Sequence, residues 1–242
     1  KQIPNFWAIY DDFNIITSEL ENLPYTKITS VKKEWKYREY SLNELFRITS
    51  TTKIRTVLEF GPYNGWLTNR LSEKGYDVMA IDYFSEEYTG LKAAQYYLNK
   101  WLPVQMDIRD ISIIQNKFDL IVFNHSLHFF NSYKKIIKDA IHLLNAPGKI
   151  VILGSPFYKN TVYVKSSIQN TFSNFKTENN FDFDMFNGEF RGYFDMEDKK
   201  YLEQSGFNFV PYSQLKLQNA AAIVFQNKPQ YFCCVFNDLN NP

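Results

Sequence analysis

From Thr56 onward, apolar residues fall into short runs separated by segments with helical spacing. Val57 to Phe60 is a four-residue run holding one acid, Glu59. Asp77 to Asp82 (Asp-Val-Met-Ala-Ile-Asp) is a second run, ending in an acid, and Pro103 to Asp107 a third that ends the same way. Phe118 to Phe123, Lys149 to Leu153, Phe207 to Pro211 and Tyr231 to Phe236 complete a set of seven predicted strands. Between them, Leu67 and Leu71 keep helical spacing, and Ser85-Glu86-Glu87 caps a helix predicted to run to about Leu98. Asn131 opens another, carrying Tyr133, Ile136, Ile137, Ala140, Ile141 and Leu144 and stopped by Pro147-Gly148. Asp195 caps a helix over 196–205 that Gly206 closes. Apolar strands alternating with amphipathic helices predict an α/β fold with a parallel sheet covered on both faces.

The two flanks of this pattern differ from it. Residues 1–40 carry aromatic clusters, Phe6-Trp7 with Tyr10 and Phe13, then Trp35, Tyr37 and Tyr40, and Ser41-Leu42-Asn43-Glu44 reads as a capping box that starts a helix. Residues 158–190 show no helical period, and Phe181 to Asp184 alternates as an exposed strand does. A connection this long inside a compact domain is either functional or unstructured. The organisation expected is an N-terminal helical cover segment over 1–50 and one domain over 51–242, with an insertion at 158–192 capping the acceptor side.

Charge narrows the partners. The formal net charge is +1, without the basic excess of a dedicated nucleic-acid binder. No apolar run approaches the ~20 residues of a membrane span, and no signal peptide is visible. The two cysteines, Cys233 and Cys234, are adjacent in a strand and therefore point to opposite faces. They read as free thiols of a reducing compartment, which points to the cytoplasm. The chain begins at Lys1 rather than Met, so a trimmed start is expected.

Candidate chemistry gathers at the carboxyl ends of the strands, where open parallel sheets bind ligands. Gly61-Pro62-Tyr63-Asn64-Gly65 follows the first strand and precedes a helix. Such a turn lets backbone approach a ligand and offers unpaired N–H groups. The dinucleotide fingerprint fits it badly, since no Gly stands at 63 or 66. Asp82, about 20 residues after Gly61, can accept both hydroxyls of a ribose. Asp107 is placed to accept from an adenine amino group, with Met106 and Ile108 against its faces. A single acid at a strand end is commonly a cap or loop residue, but these stand in order at successive strand ends. His125 and His128 follow the fourth strand and are candidate bases, since imidazole titrates near neutral pH. The plainer reading makes His128 a buried structural residue and His125 a backbone contact to the ligand. No third residue accompanies them as a metal ligand, so no metal is expected.

Glu59, Gly61 and Gly65, with Tyr63 in place of the middle glycine, resemble the first motif of class I S-adenosylmethionine-dependent methyltransferases. The resemblance covers 56–157, including Phe118 to Val122, Asn124-His125-Ser126-Leu127-His128 and Leu144 to Lys149. The end of the chain is similar to the family's last helix and antiparallel strand pair. It implies a Rossmann-like, seven-stranded, mostly parallel sheet with helices on both faces and an antiparallel last strand. It also implies S-adenosyl-L-methionine as cofactor, held by Glu59, Gly61, Tyr63, Gly65, Asp82, Tyr83, Met106, Asp107, Ile108, Asn124 and His125. Ile9-Tyr10-Asp11 is similar to the cover segment of small-molecule members, which makes Tyr10, with Tyr158, a lid or acceptor contact. No Asn-Pro-Pro-Tyr stands at 124–127, which points away from nucleobases and toward methyl transfer to an oxygen or nitrogen of a small metabolite. The alternatives are an aminopropyl transferase on the same fold and a non-catalytic cofactor-binding domain.

Overall fold

The structure is a computed structural model that describes residues 17–26, 32–130, 132–179, 191–225 and 227–238. Five parallel strands make its centre. β1 (Thr56–Phe60) lies between β2 (Asp77–Asp82) and β4 (Phe118–Asn124); β3 (Leu102–Gln105) extends the sheet beyond β2, and β5 (Leu144–Leu153) beyond β4. β9 (Gln230–Asp238) runs antiparallel beside β5, and β8 (Asn208–Pro211) antiparallel beside β9. This is the mostly parallel, seven-stranded frame expected, with its antiparallel last strand. Two short strands are added at the far edge: β6 (Pro156–Tyr158) pairs with the start of β9, and β7 (Phe194–Asp195) with β6.

Strand alternation sorts the core into two layers. Val57, Leu120, Val122, Val151, Leu153, Cys233 and Val235 point to one face, beneath α2 (Lys32–Thr49) and α3 (Trp66–Glu73). Leu58, Phe60, Ile121, Phe123, Ile150, Ile152 and Cys234 point to the other, beneath α4 (Tyr133–His142) and α6 (Met196–Gln204). The strands read as continuous apolar runs because both faces are buried, each such side chain contributing about 1.5–3 kcal/mol. Cys233 and Cys234 are free, buried thiols, one in each layer.

Several boundaries differ from the sequence expectation. α2 starts at Lys32 and passes straight through Ser41, whose hydroxyl lies 3.3 Å from the Tyr212 hydroxyl instead of capping a helix end. The helix expected over 85–98 is a 3-10 turn, Leu91–Tyr96, entered from an extended Gly90. β3 ends at Gln105, and Asp107 caps the 3-10 turn Ile108–Ile113 through the N–H of Arg109. α4 stops at His142, not at Pro147-Gly148. β5 begins at Leu144 and carries Pro147 and Gly148 inside it, across an irregularity in its pairing with β4. Asn131, expected to open α4, lies outside the described residues.

The largest correction concerns 158–190. Val162–Asn179 is an 18-residue helix, α5, with the Asn160 side chain accepting the Val162 N–H at 3.0 Å. Its described side chains are exposed or half-buried, and in the sequence the helical spacing of Val164, Ile168, Phe172 and Phe175 is diluted by the Asn, Ser and Lys between them. The strand expected at Phe181–Asp184 lies outside the described residues. α1 (Thr17–Leu20) and α7 (Lys216–Val224), between β8 and β9, were not anticipated either.

Candidate functional site

The carboxyl ends of β1, β2, β4, β5 and β8 meet along one edge of the sheet. After β1 the chain turns sharply: Gly61, Tyr63 and Gly65 all have positive φ, +69°, +56° and +78°. Tyr63 holds a left-handed backbone that costs a residue with a Cβ about 1–2 kcal/mol, so the surrounding bonds must hold it there. The Gly61 N–H donates to the Ile81 carbonyl at 2.9 Å and the Gly65 N–H to the Pro62 carbonyl at 2.9 Å. Ser126 donates to the Phe60 carbonyl at 2.6 Å. A Cβ on Gly61 would stand 2.6 Å from that of Ser126, and one on Gly65 would run into the Trp101 ring. Both glycines are therefore required by close approach as well as by φ.

Glu59 points below this turn. Its carboxyl is 1% exposed and accepts the Thr68 hydroxyl of α3 at 2.5 Å, while Oε1 has no partner. Loss of water pushes this carboxyl up to about 8, opposed by the Thr68 hydrogen bond. Asp82 stands at the end of β2 and accepts the Phe84 N–H at 3.0 Å. Loss of water raises its carboxyl to about 7, against the N–H groups of Phe84, Tyr83 and Tyr63. That last donor ties Asp82 to the glycine turn. Tyr83 is half-buried, edge-on to Phe84, and its carbonyl accepts Gln105 Nε2 at 3.0 Å. The Met106 N–H donates to the Asp82 carbonyl at 2.9 Å, which brings the third strand end beside the second. Ile108 is buried there. Asp107 is engaged by the Arg109 guanidinium, with Nη2 to Oδ2 at 2.5 Å, a bond that holds its carboxyl below the usual range.

At the end of β4, Asn124 is buried and its Oδ1 has no partner. His125 follows with φ +55°, its N–H on the Leu153 carbonyl at 2.9 Å and its Nε2 buried without a partner. Burial, helped by the charge of Arg38, keeps this imidazole well below its ordinary value. Its ring lies against Gly154, where any Cβ would collide with it. The Gly154 N–H donates to the Tyr212 hydroxyl at 3.1 Å. His128 is buried, its Nδ1 3.1 Å from Ser155 Oγ, and burial lowers it to about 3. Both imidazoles are thus neutral at pH 7.

The edge therefore brings together the glycine turn, Asp82, Met106, Asn124 and His125, while Glu59 and His128 are turned into the packing beneath it. Tyr158 lies at the β6 end, half-buried and edge-on to Tyr193 at 6.3 Å. Tyr10 is outside the described residues. Sequence reasoning missed Ser126, Trp101, Gly154, Tyr212 and Arg38, whose roles come from neighbours distant along the chain. Among the described residues no three His, Cys, Asp or Glu side chains form a metal-binding group, and no helix is long and apolar enough to cross a membrane.

No curated protein matches the chain in sequence. Among solved structures, magnesium protoporphyrin IX methyltransferase from Synechocystis PCC 6803, with SAH bound, is 15% identical. That match covers 96% of this chain and 99% of the other with a TM-score of 0.53, which shows a shared fold. The plantazolicin methyltransferase BpumL in complex with SAH is 17% identical over 62% of either chain, TM-score 0.44. In its complex with a monoazolic desmethylPZN analog and SAH, 59% of that chain is covered. An S-adenosylmethionine-dependent methyltransferase from Clostridium acetobutylicum ATCC 824 is 23% identical over 52% of this chain and 54% of its own, TM-score 0.44. A family model described as a methyltransferase domain matches residues 32–211. That span is well over half of the chain, and it runs from the first residue of α2 to the last of β8. The chain belongs to the methyltransferase-domain family, the family its motifs resemble.

Proposed function

We propose that this protein transfers the methyl group of S-adenosyl-L-methionine to an oxygen or nitrogen of a small-molecule acceptor. The observation that carries the reading is the union of the left-handed glycine turn with Asp82, joined through the Tyr63 N–H. A turn of that shape presents backbone to a ligand, and the adjoining carboxylate is placed for a pair of hydroxyls. The unpartnered buried Asn124 Oδ1 and His125 Nε2 fit a ligand that brings polar groups to the end of β4, since orphaned buried polar atoms cost about 1–3 kcal/mol each. The SAH reported with the Synechocystis enzyme of the same fold supports the same assignment.

In this reading Asp82 holds the ribose and Gly61, Tyr63 and Gly65 the amino-acid end. Tyr83, Met106 and Ile108 flank the adenine, and Asn124 and His125 take polar groups over β4. Asp107, whose two oxygens already accept the Arg109 N–H, Nε and Nη2, is assigned to an adenine amino group through the acceptor position that remains, and Glu59 secures the turn from below through Thr68. The bound cofactor supplies an electrophilic methyl group on a sulfonium. What remains for the chain is to align the acceptor, exclude water and receive a proton where the acceptor has one to lose. His125 is the better placed proton acceptor, because its Nε2 is buried without a partner while Ser155 occupies Nδ1 of His128. Tyr158 and α5 are assigned to the acceptor side, Tyr10 to a lid, and the reducing cytoplasm is the compartment that suits two free thiols.

Calorimetric titration with S-adenosylmethionine, S-adenosylhomocysteine (SAH) and the decarboxylated cofactor tests the reading. Wild type should bind the first two, and Asp82→Ala should weaken SAH binding by roughly 0.5–3 kcal/mol. Unchanged affinity in that variant, or preference for the decarboxylated cofactor, would remove the assignment. Radiolabelled methyl transfer into metabolite pools then identifies the acceptor.

A further inference from the structure

The geometry points to Arg38 as the residue that grips an anionic group of the methyl acceptor, a carboxylate in the simplest case, over the carboxyl end of β4. This inference rests on the methyltransferase reading above and names the class of acceptor. Arg38 belongs to the buried stripe of α2: Leu42 and Leu45, four and seven residues on, are buried at 1% and 0% exposure. A cation on such a stripe normally meets a carboxylate, because a partly desolvated charge without one is costly. Arg38 is half-buried, its guanidinium lies 4.7 Å from the centre of the Trp35 ring, and no acceptor or carboxylate meets its N–H donors among the described residues. Stacking on an aromatic face orients a guanidinium and leaves its planar fork available for bidentate contact with a carboxylate.

Its neighbours on the helix fix where the fork reaches. Trp35, three residues before, packs edge-on against Trp66 at 5.8 Å, the first residue of α3 after the glycine turn of β1. Ser41, three residues after, meets the Tyr212 hydroxyl, which in turn accepts the Gly154 N–H at the end of β5. Three residues turn an α-helix by roughly 60° short of a full turn, so Arg38 bisects the directions of Trp35 and Ser41. The strand between β1 and β5 is β4, and its end carries His125 with the unpartnered Nε2. The depression of that imidazole by Arg38 agrees with the placement. The glycine turn, assigned above to the amino-acid end of the cofactor, lies on the Trp35 side. An anion at Arg38 therefore belongs to the second substrate.

Fluorine NMR titration with 4-fluorobenzoate and 4-fluorobenzamide, with and without saturating SAH, decides the matter without knowledge of the acceptor. The acid should bind wild type at least tenfold more tightly than the amide. Arg38→Gln should lose at least tenfold in acid binding with SAH affinity within twofold of wild type, and Arg38→Lys should fall between. Thermal unfolding confirms that the variants are folded. Equal binding of acid and amide, no binding of the acid, or unchanged acid binding in Arg38→Gln would overturn the inference. A tenfold loss of SAH affinity in Arg38→Gln would also overturn it, giving the side chain to the cofactor's own carboxylate. If wild type fails to bind SAH the methyltransferase reading falls, while the titration without SAH still decides Arg38.

Discussion

Glu59 shows how one residue can be legible in type and illegible in task. An acid two places before a glycine turn was visible in the sequence, but strand alternation sends its side chain to the α3 layer, where Thr68 meets it. Its folded pKa of about 8 lies above the ordinary carboxyl value of 4.5. Between those pH values the unfolded chain has released a proton that the folded chain keeps, so stability falls as pH rises from about 5 to 8. Glu59→Gln removes that slope. Thermal midpoints of wild type and variant should converge near pH 5 and separate in favour of Gln toward pH 8; parallel curves would mean that Glu59 is ionised in the fold. Gly154 is the opposite case, a residue with no motif around it. It has φ +65° and lies against the His125 ring, so Gly154→Ala should cost about 1–3 kcal/mol in stability and displace the imidazole. The check is methyl transfer reduced far more than SAH affinity; equal losses in both would place His125 in cofactor binding alone.

Among the elements, α6 was read almost residue for residue because its signals are local. Asp195 accepts the Glu197 and Asp198 N–H groups, and the Asp198 side chain returns to the Asp195 N–H, a reciprocal cap written in four consecutive residues. The same Asp195 pairs with Arg191 at 2.7 Å, and Asp198 accepts the Tyr133 hydroxyl of α4 at 2.8 Å. Asp195→Ala should lower unfolding free energy by about 1–2 kcal/mol, measured by urea denaturation, with Asp195→Asn recovering the capping part. No loss in Asp195→Ala would mean that the cap is idle. The four residues at Ser41 offered a similar signal and misled, because the helix already in progress from Lys32 packs its 1% exposed Ser41 against Tyr212. α5 was hidden for another reason: the helical spacing of Val164, Ile168, Phe172 and Phe175 is diluted by Asn, Ser and Lys, and none of the described side chains is fully buried.

For the whole molecule, the proposed function makes the cofactor-side edge and the acceptor side separable in the chain. Replacing residues 160–190, which include all of α5, with a short Gly-Ser bridge should retain SAH binding and abolish methyl transfer; full turnover on the true acceptor would show the segment to be dispensable. SAH at a hundred times its dissociation constant should stabilise wild type by about 2.7 kcal/mol, and the bridged protein by the same amount. The absence of a ligand-dependent shift in the bridged protein would show that the two sides share a site. The sequence by itself determined the class of fold, the strand order in the chain and the positions of Gly61, Gly65, Asp82, Asn124 and His125. It could do so because two-sided burial writes apolar runs and a tight turn writes its glycines, both within a few residues. Only the tertiary structure decided which side chains face the edge and which the core. Arg38, Ser41, Tyr212, Gly154 and His125 come from four separate elements or connections, and their meeting depends on how α2 lies across the ends of β4 and β5, an arrangement set by the packing of Trp35, Leu42 and Leu45 against the sheet that no local pattern records.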